Sequence, residues 1–255
     1  MTLAEAARKP RKNLKHFKQR MRKFKEDIEK FGWSVVMIKE TDYLPAFAYT
    51  IGIWEKYGKP EIIAFGLDTE TLQILVNDAG DIIKSGLEII LKKKYDNILE
   101  NLDVQFIEVN ENNISDYFGY AIEYYGSKHF PAMQLVWPDH LNKFPWDVNF
   151  ETDLFYRQPL LDRNMDFKFL EDKNLGVFTT KQFIEESKPI VRVTHDEDGD
   201  WQFLTDEASL TEPRLVHLSF MTNKDKTLND VFQLQYGQSA ERDFIGASWR
   251  IAEEQ

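Results

Sequence analysis

The sequence contains no cysteine among its 255 residues. This absence excludes disulfide bonds, thiol nucleophiles and cysteine metal ligands, and it fits a reducing compartment. No run of about 18 apolar residues occurs, so we expect no membrane-spanning helix. The N-terminal stretch MTLAEAARKPRKNLKHF also lacks the apolar core of a secretory signal peptide. We therefore expect a cytoplasmic protein.

The common sequence signatures of cofactor binding and catalysis are missing as well. The chain has no Gly-x-Gly-x-x-Gly after a strand, no phosphate-binding Walker loop, no Gly-x-Ser-x-Gly elbow and no His-Glu-x-x-His pair. These absences favour a binding protein over an enzyme. They lead us to expect no cofactor and no metal site.

Acidic residues are absent from one segment and abundant elsewhere. Between Arg8 and Lys25 ten residues are Lys or Arg and none is acidic, although the whole chain carries a formal net charge of -11. The remainder is therefore more acidic than the total indicates. An acidic body disfavours nucleic-acid binding and suits a basic protein partner.

The basic segment has the pattern of an amphipathic helix. Spacings of three and four residues place six apolar side chains on one helical face: Leu14, Phe17, Met21, Phe24, Ile28 and Phe31. Gly32 is typical of the position after a helix end. We expect the apolar face to pack on the body with the basic face in solvent. Contact of the basic face with a membrane surface or with nucleic acid is the alternative.

The rest of the chain predicts an α+β fold with two small mixed α/β domains preceded by the basic amphipathic helix. We expect a helical arm over 1–32, an α+β domain over 33–161, a charged linker over 162–174 and a smaller α+β domain over 175–255. In the first domain, β-rich runs predict strands and helical spacing predicts helices near 69–90 and 115–125. The predicted strands are 33–38, 46–51, 61–66, 103–109 and 132–137.

The smaller domain has a similar mixture of short elements. Strands are predicted at GVFTT, at the pair PIVRVTH and DWQFL, and at LVHLSFM. Helices are predicted at KQFIEES and TLNDVFQLQ.

The stretch THDEDGDWQFL, residues 194–204, predicts a β-hairpin with an acidic tip, because Asp198-Gly199 between two strands is a strong turn signal. A calcium-binding EF-hand loop starting at Asp196 would need glycine where Trp201 stands, so that motif does not fit. We interpret His195 as a polar residue at the strand end rather than a catalytic base. The candidate partner-binding residues are Asp196, Glu197, Asp198, Asp200 and Trp201.

The stretch HFPAMQLVWPDHLNKFPWD, residues 129–147, concentrates aromatic, histidine and acidic side chains. Zinc binding by His129, Asp139 and His140 is disfavoured because no second short-spaced ligand pair exists. A rigid loop packed on the sheet and a pocket for a flat ligand are the two remaining interpretations. The candidate pocket residues are Tyr49, Tyr124, His129, Trp137, Asp139 and Trp146.

Several strings in the first domain follow one another as in a known family. FGWSVVMI, PAFAYTIGIWEKYGKPEIIAFGL, FPAMQLVWPD, FPWD and QPLL lie within residues 31–161, which resemble the bacterial family called domain of unknown function DUF4262. The Tyr-Thr-x-Gly segment of the family corresponds here to Tyr49, Thr50 and Gly52. Its common His-Pro-Glu is Lys59-Pro60-Glu61, so the histidine is replaced. The resemblance implies an α+β domain and no established activity.

The smaller domain resembles bacterial toxin-immunity domains. The resemblance consists of a Gly-x-Trp-x-Phe strand motif, here Gly199, Trp201 and Phe203. It implies a protein that neutralises a toxin by binding it.

Together these observations lead to a principal hypothesis and an alternative. The principal one is a cytoplasmic bacterial binding protein that neutralises a partner, which we expect to be a basic protein. The alternative is an enzyme or small-ligand-binding protein that uses an aromatic pocket around Tyr124, His129, Trp137 and Trp146.

Overall fold

A computed structural model describes residues 12–205 and 213–253. The basic residues before residue 12, which the sequence assigns to the helical arm, lie outside this range. The described residues form two compact units. The first unit comprises residues 12–40 and 45–165, and the second comprises residues 41–44 and those from 166 onward. Both units contain helices and a mixed sheet, which confirms the predicted α+β class.

The first unit begins with the predicted amphipathic helix. Its helices are α1 Lys12–Phe31, α2 Ile53–Tyr57, α3 Thr69–Lys84, α4 Ile114–Tyr117 and α5 Gly119–Tyr125. Its strands are β1 Ser34–Ile38, β2 Phe47–Ile51, β3 Glu61–Phe65, β4 Tyr95–Leu99, β5 Leu102–Glu108 and β6 Ala132–Val136. Short 3-10 helices lie at Glu111–Asn113 and Thr152–Arg157.

The sheet of the first unit has the strand order β1-β2-β3-β6-β5-β4. β3 and β6 are parallel, and the other neighbours are antiparallel. Glu61 pairs with Ala132 at the start of the two parallel strands, and Glu108 pairs with Met133 at the end of β5. The starts of β3 and β6 and the end of β5 therefore lie side by side at the same end of the sheet, although they are distant in sequence.

Helices pack on this sheet through apolar faces with helical spacing. Phe24 and Ile28 of α1 are buried, and a side chain at Gly52 would come within 2.6 Å of Ile28. Helix α3 begins at the cap Asp68, whose carboxylate accepts N–H bonds from the first turn. Gly80 of α3 allows the Trp33 ring to approach, because a Cβ there would lie 2.6 Å from that ring.

The second unit consists of shorter elements. Its strands are β7 Gly176–Thr180, β8 Arg192–His195, β9 Trp201–Leu204, β10 Pro213–His217, β11 Gln238–Glu241 and β12 Arg250–Glu253. Its helices are α6 Lys181–Glu185 and α7 Leu218–Lys224, and a 3-10 helix covers Lys226–Val231. The sheet order is β10-β7-β9-β8-β11-β12, with β7 parallel to β9. β8 and β9 form the predicted hairpin.

Several predicted elements need correction. The helix predicted over 69–90 ends at Lys84, where Ser85 and Gly86 bond back to the last turn. The helix predicted over 115–125 is broken at Phe118 into α4 and α5. LVHLSFM is strand only to His217 and then begins α7, and TLNDVFQLQ forms a 3-10 helix rather than an α-helix.

Candidate functional site

Two neighbouring cavities lie at the end of the sheet where β3 and β6 begin and β5 ends. One has a volume of about 590 Å³ and the other about 460 Å³, both within the usual size of ligand sites. They share Glu108, Val109 and Pro131 as lining residues, so they lie side by side, and we call the pair the cleft and each cavity a chamber. The chambers differ in chemistry, and we call them the polar chamber and the aliphatic chamber.

The polar chamber is the larger one. Its charged or titratable lining residues come from the end of β5, the segment before β6 and the chain after it: Glu108, Glu111, Lys128, His129 and Asp162. Asp162 is engaged by Arg163 through two bonds of 2.6 and 2.7 Å. Glu108 and Glu111 form no ion pair within residues 12–205 and 213–253. The polar chamber therefore offers two carboxylates to a ligand, near the cationic Lys128.

The aliphatic chamber has no aromatic lining residue. Its apolar wall consists of Pro60, Ile83, Ile89, Leu91, Val109, Pro131, Ala132 and Met133. Lys59 pairs with Glu88 at 3.2 Å, so these two lining charges neutralise each other. The loop that supplies Ile89 also exposes large apolar side chains, with Leu87 64% and Ile90 54% exposed. An apolar surface of this kind beside a cavity is typical of a binding site.

Beside the cleft lies a buried carboxylate that sequence reasoning missed. Glu61, the first residue of β3, has no solvent exposure. Its Oε2 accepts from the Thr50 hydroxyl at 2.6 Å, and its Oε1 accepts from the backbone N–H groups of Gly52 at 2.9 Å and Trp54 at 3.0 Å. The Tyr125 hydroxyl donates to the same Oε1 atom. One side chain therefore joins β2, the start of α2, β3 and the end of α5.

The electrostatics of this group follow from its burial. Burial raises the pKa of Glu61, and the four hydrogen-bond donors oppose that rise without cancelling it. Burial, and then the nearby Glu61 charge, raise the pKa of Tyr125 above its ordinary value. Within the residues that the structure describes, no cation pairs with Glu61. Its charge is thus stabilised by hydrogen bonds alone.

The six residues of the predicted aromatic pocket do not line one cavity. His129 is exposed and lines the polar chamber, and it is the only one of the six that lines the cleft. Tyr49 and Trp137 are buried in the core, where the Trp137 indole donates to the Phe65 carbonyl at 2.7 Å. Trp146 stacks on Phe144.

The other two predicted pocket residues have local structural contacts. The Tyr124 hydroxyl donates to Glu55 at 2.8 Å. Asp139 accepts backbone N–H bonds from Leu141, Lys143 and Glu151, as a loop-stabilising carboxylate does. Burial by itself would raise the pKa of Asp139, but these donors lower it below its ordinary value.

The acidic hairpin tip is present as predicted, and its residues have different roles. Asp196 accepts the backbone N–H groups of Asp198 at 3.1 Å and Asp200 at 2.9 Å, so it holds the turn. Gly199 has a φ of 89°, which the turn requires. Glu197, Asp198 and Asp200 are exposed and form no ion pair within the described residues.

Trp201 and His195 lie in the interior of the second unit. Trp201 is fully buried and therefore cannot reach a partner in this structure. Its indole donates to Glu171 at 2.7 Å, and the His195 ring stacks on it at 4.0 Å. His195 is only 1% exposed, and its Nδ1 donates to the Leu234 carbonyl at 2.8 Å. Burial lowers the pKa of His195. His195 is the last residue of β8, as the sequence predicted, and its ring lies in the interior of the unit.

The cleft was missed because its walls come from four distant segments. They are residues 58–60, 83–91, 108–112 and 128–133, and Asp162 adds a fifth point. Glu61 carried a signal that could have been used, since it is a lone acid opening the apolar run EIIAF. A charge at the start of a buried strand needs partners, and that requirement points to a network.

Among the described residues, no three His, Asp or Glu side chains are grouped as metal ligands would be. No helix in the described parts of the chain is long and apolar enough to cross a bilayer.

Comparison with known proteins gives one match. Nothing among curated proteins or solved structures matches this chain. Residues 27–151 match a family model described as "Domain of unknown function (DUF4262)". The matched range contains the Tyr49-Thr50-x-Gly52 and Lys59-Pro60-Glu61 segments, and it covers nearly all of the cleft. This match confirms the resemblance to DUF4262 that the sequence indicated.

Proposed function

We propose that this chain is a binding protein, and that the cleft of its first unit binds a partner segment carrying an aliphatic side chain close to a basic one. The observation that carries the proposal is the contrast between two contiguous chambers. One has an aliphatic wall, and the other presents Glu108 and Glu111 without ion-pair partners among the described residues.

A polypeptide fits this surface better than a small metabolite. The apolar area does not stop at the cavity, because Leu87 and Ile90 extend it over the neighbouring loop. Burying such side chains against a partner would contribute a gross gain of about 25 cal/mol for each Å² of apolar surface removed from water, which offsets part of the entropy lost on association. A metabolite enclosed in one chamber would leave this apolar rim in water.

The acidic carboxylates determine the charge we expect on the partner. A Lys or Arg side chain near Glu108 and Glu111 would gain charge-assisted hydrogen bonds. Such exposed pairs each contribute about 0.2–1 kcal/mol, equal to a change in Kd of up to roughly fivefold. Charge therefore supports selectivity and association rate, while the aliphatic chamber supplies most of the affinity.

A panel of labelled peptides tests this function. Fluorescein-labelled Gly/Ser octapeptides would carry one Leu and one Arg at different spacings, and fluorescence anisotropy would measure their binding. We expect at least one spacing to bind, and we expect the same peptide with Glu in place of Arg to bind more weakly. Equal binding of the Arg and Glu peptides would contradict the proposed charge preference, and no binding at any spacing would contradict the proposed function.

Chamber-specific variants locate the binding. Met133→Trp should fill the aliphatic chamber and abolish binding, whereas Glu108→Gln with Glu111→Gln should weaken only the Arg peptide. Glu100→Gln is the matched control, because Glu100 is exposed in the turn at the opposite end of β5. An effect of the control as large as that of the paired variant would remove the cleft from the interface.

A second candidate function rests on the hairpin of the second unit. We propose as this alternative an immunity-type role in a bacterial cytoplasm, in which the hairpin binds a basic protein. Glu197, Asp198 and Asp200 support it, since they are exposed and form no ion pair within residues 12–205 and 213–253. Residues 166–255 also contain 18 acidic and 10 basic residues. The absence of cysteine is compatible with that compartment.

Affinity capture at low salt would test the alternative. A basic protein retained by the wild type would be identified by mass spectrometry, and its association rate would then be measured with Glu197→Gln, Asp198→Asn and Asp200→Asn combined. Asp196 stays unchanged because it holds the turn. A slower association with a weaker salt dependence supports the hairpin as the interface, and an unchanged rate rejects it.

A further inference from the structure

We propose that Glu61 and Tyr125 act as a pair of positioning residues that fix the two walls of the cleft, one in each chamber, relative to each other. This inference rests on the proposed function, because it takes the cleft as the binding site. Neither residue lines a chamber. Their effect on a ligand would therefore be indirect, through the chain segments that they hold.

The wall of the aliphatic chamber is connected to Glu61 through α2. Glu61 accepts N–H bonds from Gly52 and Trp54, which fixes the start of this five-residue helix. The helix ends at Tyr57, and the chain then passes through Gly58, Lys59 and Pro60 along the chamber. Both helix ends are left-handed glycines, with φ of 114° and 63°. Such residues permit sharp turns, so external bonds are needed to define the orientation of the helix between them.

The wall of the polar chamber is connected to the same carboxylate through Tyr125. This tyrosine is the last residue of α5, and the segment after it supplies Lys128 and His129 to the chamber. Its hydroxyl bonds to both Glu61 and the Gly52 N–H. Its ring packs on Phe130 with a centroid distance of 5.1 Å.

A backbone bond adds a direct connection between the walls. The N–H of Glu61 donates to the carbonyl of Pro131 at 2.9 Å, and Pro131 lines both chambers. Glu61 therefore holds both walls of the cleft, through its backbone N–H and through its side chain. Loss of the Tyr125 hydroxyl alone should loosen the polar wall while the ring contacts and the sheet remain.

The absence of cysteine makes a spectroscopic test simple. Lys128→Cys would be labelled with a trifluoromethyl thiol reagent, so that ¹⁹F NMR of the full chain reports the order of the polar wall. We call this reporter the wall label, and we expect it to give one narrow line in the otherwise unchanged chain. Adding Tyr125→Phe or Glu61→Gln should broaden or split that line.

Two controls separate positioning from general stability. Tyr124→Phe removes a neighbouring hydroxyl that bonds to Glu55 instead of Glu61, and it should leave the line of the wall label unchanged. The same reagent attached through Glu100→Cys, at the far end of β5, gives a distant label that should not respond to Tyr125→Phe. An unchanged line of the wall label in both Tyr125→Phe and Glu61→Gln would overturn the proposal, and so would equal changes at the wall label and the distant label.

The wall label reports the wall and needs no ligand. If no peptide binds the wild-type chain, the proposed function fails while the line of the wall label still decides whether the pair orders the wall. If a peptide binds, Tyr125→Phe should weaken its binding several-fold and Tyr124→Phe should not. Equal peptide affinity in these two variants would overturn the positioning role and leave the binding function standing.

Discussion

Each unit buries an acidic side chain at the centre of a hydrogen-bond network, and the two networks differ in how the charge is compensated. In the first unit, Glu61 accepts four hydrogen bonds and has no cation beside it among the described residues. In the second unit, Asp225 pairs with the fully buried guanidinium of Arg242. Arg242 also donates to the Ile190 carbonyl at 2.9 Å and packs against the Trp249 ring.

This difference separates a network suited to stability from one suited to positioning. The Arg242–Asp225 pair joins the start of the Lys226–Val231 3-10 helix to the residue after β11, and neither residue lines the cleft. The Glu61 network instead joins the two segments that form the cleft walls. Without a cation, it depends on the geometry of each neutral donor and on the ionisation of the carboxyl group itself.

The largest expected effect comes from breaking the ion pair. Arg242→Leu leaves Asp225 buried without its cation and should lower the free energy of unfolding of the second unit by about 3–5 kcal/mol. Urea unfolding followed by tryptophan fluorescence would measure the loss. Arg250→Leu is the control, because Arg250 pairs with Asp243 in solvent, and its effect should be far smaller. Similar losses for the two variants would contradict the role assigned to the buried pair.

The second effect concerns the pH dependence of the Glu61 network. Since the folded state raises the pKa of Glu61, it binds this proton more tightly than the unfolded state does. The contribution of Glu61 to stability should be greatest below the ordinary Glu pKa and should fall as pH rises through the raised pKa, by at most about 1.4 kcal/mol per pH unit.

Urea unfolding of the wild type and Glu61→Gln from acid to neutral pH would measure this dependence. The free energy of unfolding of the wild type minus that of Glu61→Gln should decrease as pH rises, because Gln does not titrate. A difference that is constant with pH would show that the folded state does not hold the Glu61 proton more tightly.

The smallest effects are expected for two threonines, one in each network, that donate a hydrogen bond to the buried carboxylate. Thr50 donates to Glu61 and accepts from the Ile62 N–H, while Thr227 donates to Asp225 and accepts from Arg242. Thr50→Val should cost about 2 kcal/mol and Thr227→Val about 1 kcal/mol, because Arg242 still compensates Asp225. Calorimetric unfolding of both variants would show the order, and the reverse order would argue that the cation does not matter.

The elements with strong periodicity were predicted from sequence, and those with weak patterns were not. α1 and α3 follow a helical period because each has one buried face, whereas β2, β3 and β6 are short apolar runs because nearly all of their residues are buried. β4, β11 and β12 were missed, since sequences such as YDNIL and QSAE contain many polar residues. In LVHLSFM, the apolar residues fit both the strand period and the helix period. The N–H of Leu218 bonds to the Leu175 carbonyl at the point where β10 ends and α7 begins.

The site was less predictable than the fold because it depends on sheet order. The acidic hairpin is a local feature and was predicted, although the burial of Trp201 was not. Clustering of Trp137 and Trp146 in sequence suggested a shared pocket, but Trp137 is buried beside Phe65 and Trp146 stacks on Phe144. The pairing of β6 with β3 on one side and with β5 on the other brings the cleft walls together.

The most direct test of the central claim is an NMR titration of the ¹⁵N-labelled chain with the Leu-Arg peptide panel. We expect amide shift changes concentrated in residues 58–60, 83–91, 108–112 and 128–133, with the hairpin at 196–200 unchanged. Changes confined to the hairpin, or none at the cleft at saturating peptide, would contradict the assignment of the first unit's cleft as the binding site.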